Sequence, residues 1–253
     1  WVSLVIKNNP YICGIDLAWH CDKNNSAMAF GELIKGELII TDLIPSIKTI
    51  PEILQKIKER PSLTGLAIDA SLIIPNQTGQ RFCEQQLNSF YQSKKAGCHP
   101  TNKTLYPNAD SVRLSQHLTQ LGFCHLNHPE RGCWQLECYP HPAIIELFAL
   151  TERHLYKKGS VATKRQGQIT LAKYLNRLHC SQVLRLTINT PYQYHLEPNY
   201  IAALKGHTLK QNEDTLDAII CAYIGGLYLT GVNNQCFGDT ENGYIYVPQQ
   251  KCI

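Results

Sequence analysis

Apolar and polar positions along the chain fall into runs of two kinds. Residues 11–18, YICGIDLA, are apolar and β-prone with one acid, Asp16, and predict a buried strand. AMAFGELI (27–34) and ELIITDLI (37–44) predict two more strands, and the Lys35–Gly36 pair between them predicts a tight hairpin turn. PEILQKIKER (51–60) sets Ile53, Leu54 and Ile57 behind a proline suited to a first helical turn, which predicts an amphipathic helix. TGLAIDASLII (64–74) predicts a further strand, again with a single acid, Asp69.

The pattern then turns mostly helical. RFCEQQLNSFY (81–91) predicts a helix, 92–111 a loop-rich stretch, and SVRLSQHLTQLG (111–122) a helix closed by Gly122. WQLECYPH (134–141) predicts a short strand carrying Glu137, and a helix opens at Pro142. Residues 151–212 hold the basic YKKG, the helical QITLAKYLNRL and a looser stretch. EDTLDAIICAYIGGLYL predicts a buried helix over roughly 213–230, and GYIYVP a last strand. Together these predict one α/β domain over 1–253, with a mixed sheet and helical insertions at about 92–133 and 151–212.

Composition narrows the class. Hydrophobic residues make up 43% and charged residues 17%, which suits a folded core and excludes a disordered chain. The formal net charge of +4 permits a polyanionic partner without demanding one. No apolar run reaches the ~18 residues of a membrane span, and no secretory leader is visible, so no membrane partner is expected. The eleven cysteines are scattered, odd in number and without a CxxC pair, which predicts reduced thiols in a cytoplasmic protein. Cys133 and Cys138 near His128 and His141 do not match a zinc-ligand spacing.

The acids change the picture most. Asp16, Asp69, Glu137 and the Asp214/Asp217 pair stand where core residues are expected. Burying an unpaired carboxylate is costly or forces it to take up a proton. Residues three apart on a helix differ by about 60° around its axis, so Asp214 and Asp217 share a face. Asp217 also lies close in angle to Ile220, Cys221 and Ile224, which turns that face inward. Carboxylates that converge repel one another, and a cation resolves the conflict. Hard oxygen ligands favour Mg²⁺ or Mn²⁺ over zinc. Two such ions about 4 Å apart activate a water and stabilise the leaving oxygen of a phosphodiester. Each acid also has a structural reading. Glu213 and Asp214 in a first helical turn suit the helix dipole, Asp69 suits a turn, and Glu137 suits a pair with Arg or Lys. Asp16 and Asp217 fit such roles least.

Seven stretches, GIDLAW (14–19), AIDA (67–70), RFCE (81–84), ECYPHP (137–142), YKKG (156–159), EDTLDAIICAY (213–223) and GDTENGYIYVP (238–248), occur in the order found in DUF429 proteins. The chain resembles that family over nearly its whole length. The family is described as predicted nucleases of the ribonuclease H-like superfamily. The resemblance implies a mixed five-stranded sheet, its first three strands antiparallel, flanked by helices. It implies a site built from Asp16 on the first strand, Asp69 at the end of the fourth, Glu137, and Asp214 and Asp217 on the closing helix. Asp217, the more buried, is the favoured ligand of that last pair.

Other residues in these stretches have two readings each. Arg81 meets a phosphate, or forms a surface pair with Glu84 at helical spacing. His141 shuttles protons beside Glu137, or is a satisfied structural histidine. Lys157, Lys158, Lys164 and Arg165 contact a phosphate backbone, or form a solvated charged loop. Trp19 stacks on a base, or packs in the core.

The expected function is therefore a nuclease hydrolysing nucleic-acid phosphodiesters with one or two Mg²⁺ or Mn²⁺. Asp16, Asp69, Glu137 and Asp217 are its expected catalytic residues, joined by Asp214 as metal ligand. Arg81, Glu84, His141, Lys157 and Lys158 are its expected substrate contacts. DNA or RNA is the expected partner, and no obligatory protein partner is implied. The resemblance implies products with a 3′-hydroxyl and a 5′-phosphate. Two alternatives stand beside this one. A catalytically silent nucleic-acid-binding or scaffold protein fits the weak charge. An ATP-binding phosphotransferase of the same superfamily fits less well, since GIDLAWHCDKNN has no glycine after Asp16 and no GxxxxGK[ST] loop occurs.

Overall fold

Residues 9–253 are described in a computed structural model, and the first eight positions of the expected 1–253 domain lie outside them. Tyr11–Asp16 (β1), Ser26–Ile34 (β2) and Glu37–Ile47 (β3) form an antiparallel meander. Lys35 and Gly36 both take positive φ, 48° and 76°, as a two-residue turn matched to the strand twist requires. The helix Ile50–Lys58 (α1) then carries the chain back to Leu63–Asp69 (β4), which pairs parallel with β1. Thr49 and Glu52 cap α1 reciprocally, and Pro51 sits in its first turn.

Trp134–Glu137 (β6) lies parallel to β4 on its other side, so the inner five strands run β6-β4-β1-β2-β3. This is the mixed sheet with three antiparallel opening strands that the sequence predicts. Two short edge strands, Cys124–His125 (β5) and Arg185–Ile188 (β7), extend it to seven. Both come from the segments expected to be helical insertions. Runs of two and four residues are too short to show a period, and only pairing at the sheet edge defines them. Asn234–Asp239 (β8) and Gly243–Pro248 (β9) form a separate antiparallel pair.

Helices cover both faces. One face packs α1 and Asp110–Gln120 (α3) against Cys13, Ile15, Met28, Leu66 and Ile68. On the other lie Pro140–Leu147 (α4), Val161–Arg177 (α5) and Gly206–Thr230 (α7). Phe82–Tyr91 (α2) packs on the β8–β9 pair, and Pro198–Ala203 (α6) leads into α7. The long helix α7 crosses β1, β2, β3 and β4. Gly14 permits this crossing: a Cβ there would stand 2.1 Å from the Ala222 backbone nitrogen. Only glycine lets helix and strand approach so closely.

Helix α7 begins at Gly206, seven residues before the expected start. Asp214 and Asp217 therefore lie two or more turns inside it, and the helix-dipole role expected for Glu213 and Asp214 is excluded. The start is hidden because Gly206, His207, Thr208 and Lys210 face solvent and leave too few apolar positions to show a helical period. Strand β4 likewise stops at Asp69 rather than residue 74, because the Leu72 N–H turns to the Glu137 carboxylate at 2.8 Å. No helix among the described residues is long and apolar enough to cross a membrane.

Candidate metal centre

Strand register brings the first two acids together. Asp16 and Asp69 are the last residues of parallel neighbours and stand directly opposite each other. Side chains alternate across a sheet, so both share the face of Gly14 and Ala67, beneath α7. Strand order reverses at β1 and β4, and in open α/β sheets ligands bind beyond the carboxyl ends at such a point. Asp217, fully buried on α7, completes the group. One oxygen from each of Asp16, Asp69 and Asp217 lies within 4.8 Å of the other two.

The cluster carries its own partial neutralisation. The Lys157 ammonium forms an ion pair with Asp217 Oδ2, and the Tyr156 hydroxyl donates to Asp217 Oδ1 at 2.6 Å. Beyond that ion pair, Asp217 Oδ2 has no hydrogen bond. Burial pushes the Asp16 carboxyl up to about 7, against the pull of Lys157 and with the push of Asp214. Burial likewise raises Asp69 and Asp217, opposed in each by Lys157. Burial thus disfavours the charged form of all three, and the all-oxygen donor set suits a hard cation.

Glu137 and Asp214, both expected as metal ligands, stand outside the ligand group. Glu137 is paired with Ile68 across β4–β6, one position out of step with Asp69. Alternation therefore turns it to the opposite face. There Arg81 grips it with two bonds, Nη2 to Oε1 at 2.6 Å and Nη1 to Oε2 at 3.0 Å. Asp214 is tied to Lys210, which also bonds Glu213 at 2.9 Å.

Arg81 and Glu84 line a cavity over the cluster, and the surface pair expected as their alternative is not what is found. Their pair, Nε to Oε1 at 2.9 Å, is buried. Arg81 also donates to the Ile73 carbonyl at 3.0 Å, and Glu84 accepts from the Thr101 N–H at 3.1 Å. The Arg81 guanidinium thus braces the segment that follows Asp69 against the end of β6, and Arg81, Glu84 and Glu137 all remain in the cavity lining.

A cavity of about 700 Å³ opens over the cluster, with Asp16, Asp69 and Asp214 on its floor and Lys48, Arg153, Lys157 and Lys158 among its walls. His141 lines it with a buried Nδ1 that lacks a partner, and burial holds its imidazole well below the usual titration range. The satisfied structural histidine weighed as its alternative is not what is found. Lys158 is exposed at the wall. Arg165 instead donates to the Leu204 carbonyl at 2.6 Å, and neither it nor Lys164 lines the cavity. Cys133 and Cys138 belong to different packing layers, which separates the zinc candidates.

The DUF429 family model, described as a protein of unknown function, matches residues 14–242. The chain belongs to the DUF429 family. No curated protein and no solved structure matches it. Within this DUF429 chain, sequence reasoning passed over two site residues. Lys210 precedes Asp214 by four positions, a helical pairing readable only once α7 is known to start at Gly206. Tyr156 stands in the quoted YKKG, but nothing in the local pattern marks it as the partner of Asp217.

Proposed function

We propose that this DUF429 protein is a divalent-metal-dependent nuclease hydrolysing nucleic-acid phosphodiester bonds. The observation that carries the reading is the Asp16–Asp69 register pair, which lines a cavity with basic residues and is closed from behind by the buried Asp217. Asp16, Asp69 and Asp217 would hold one or two Mg²⁺ or Mn²⁺, the ions that oxygen-only sites of this charge favour. Such an ion would polarise a phosphoryl oxygen and supply a nucleophilic water.

The chain's own side chains fit the rest of the task. Lys157, Lys158 and Arg153 present positive charge to a phosphate entering the cavity. His141, neutral at physiological pH, offers Nδ1 as a proton acceptor inside it. The Arg81–Glu137 bracket fixes the segment beyond Asp69 and so orients that carboxylate. Eleven free thiols suit a cytoplasmic site of action, which forms part of the same reading.

One observation favours a second reading, a nucleic-acid-binding protein without turnover. Lys157 already neutralises Asp217, as a permanent substitute for a metal would. The deciding assay incubates labelled DNA and RNA, single- and double-stranded, with the protein and millimolar Mg²⁺ or Mn²⁺. Metal-dependent cleavage that Asp16→Asn, Asp69→Asn and Asp217→Asn each abolish supports the nuclease. Binding without cleavage supports the second reading.

A further inference from the structure

Trp19 lies three residues beyond Asp16, within about 11 Å of it along the chain, and lines the same cavity. Its side chain is 45% exposed, so core packing is not its role. Tryptophan is on average strongly buried, so what distinguishes Trp19 is its exposure within the lining of the cavity that holds Asp16 and Asp69. One face of the indole is already taken. Tyr106 stacks on it with centroids 4.4 Å apart and planes 24° from parallel. Tyr106 is itself anchored. Its N–H bonds the Asn102 carbonyl at 2.9 Å, and the buried Asn102 side chain donates to the Gly79 carbonyl at 2.9 Å. The braced, 45% exposed indole thus lines the cavity with its second face not stacked by Tyr106, and Lys23 and Lys48 belong to the same lining.

From this arrangement we infer that Trp19 is a stacking platform for an unpaired nucleobase, and that the substrate is single-stranded nucleic acid. The inference rests on the nuclease reading and names its substrate class. A π-face accepts any base, and flanking lysines hold the backbone, which is how single strands are bound without sequence readout. A duplex keeps its bases stacked inside and has no free base face to offer until one is extruded.

Fluorescence anisotropy in EDTA, which prevents turnover, tests this with the full chain and a labelled dT12. The competitors are a blunt duplex and dTMP, and the variants are Trp19→Leu and Trp19→Phe. The single strand binds wild type at least tenfold more tightly than the duplex. Trp19→Leu weakens single-strand binding roughly tenfold, as loss of one base–aromatic stack does. Trp19→Phe restores most of it, and unfolding curves of the variants overlay that of wild type. Equal binding by Trp19→Leu, or equal binding of duplex and single strand, overturns the inference. So does competition by dTMP as effective as that by dT12, which would make the site one for free nucleotides. If wild type binds no nucleic acid in EDTA and none with Ca²⁺ in its place, the nuclease reading fails with it, a result distinct from the other three.

Discussion

Lys157 sets its ammonium against Asp217 Oδ2, inside the carboxylate group that a divalent cation would occupy. Lysine and metal would therefore compete for the same carboxylates. The Lys157 side chain is 26% exposed and Asp217 fully buried, so the lysine is the partner free to withdraw.

Lys157→Met removes the built-in cation. The metal-free variant loses on the order of 3 kcal/mol, the cost of leaving a buried charge unpaired. Its Mn²⁺ affinity rises, because one positive competitor has gone. Thermal unfolding across a Mn²⁺ titration reads both effects, and weaker Mn²⁺ binding than in wild type would contradict the competition.

Gly14→Ala touches no acid, yet it should dismantle the site. The new methyl meets the Ala222 backbone and the Ala218 carbonyl, at 2.1 and 2.2 Å, and forces α7 off the sheet. Overpacking of this kind costs about 1–3 kcal/mol. Asp217 moves with the helix, so the variant's unfolding temperature should no longer respond to Mg²⁺ or Mn²⁺.

Glu137→Gln separates the bracket from the ligand group. Arg81 is left buried with half its pairing gone, and stability falls by about 3 kcal/mol. Stabilisation by Mn²⁺ should persist, because Glu137 is bound to Arg81 and stands outside the Asp16–Asp69–Asp217 group. Its complete loss would return Glu137 to the ligand set that the family resemblance implies.

The sequence exposed much of this arrangement, unevenly. The inner five strands were legible because each is an apolar run bounded by turn residues, and the Lys35–Gly36 hairpin named its own register. Asp16 and Asp69 stood out because each interrupts such a run. For Glu137 the sequence offered two roles, metal ligand or partner of an Arg or Lys, and could not choose between them; the fold gives it Arg81. The choice depends on a one-residue offset between β4 and β6, and pairing register leaves no trace within a single strand. The start of α7 was hidden because solvent-facing polar residues look alike in a loop and in an exposed first turn. Lys157 appeared as one of several basic residues, and only the folded chain brings it to Asp217, 60 positions away.

Acidity should act on metal-free stability in a defined sense. The Asp16 carboxyl is raised to about 7, so between its ordinary value near 4 and that point the folded protein holds a proton the unfolded chain has released. Stability from this group is therefore greatest at low pH, falls as pH rises across that window, and changes no further above it. Asp69 and Asp217 are raised in the same direction, while Lys157 and Lys210 oppose the rise in Asp16. Binding of a cation requires the ionised acids, so Mn²⁺ affinity should climb as pH passes through about 7. Unfolding curves with and without Mn²⁺ at pH values spanning this window check both slopes.

The most direct test of the central claim is Mn²⁺ binding, followed by thermal unfolding in wild type and in Asp16→Asn, Asp69→Asn and Asp217→Asn. A metal that binds only the folded state adds about 2.7 kcal/mol at a hundredfold excess over its dissociation constant. The account predicts that wild type gains this stability, that none of the variants does, and that Asp16→Asn is the more stable protein without metal because repulsion is relieved. A wild type indifferent to Mn²⁺ would contradict it, and would leave Lys157 as the permanent cation of the cluster.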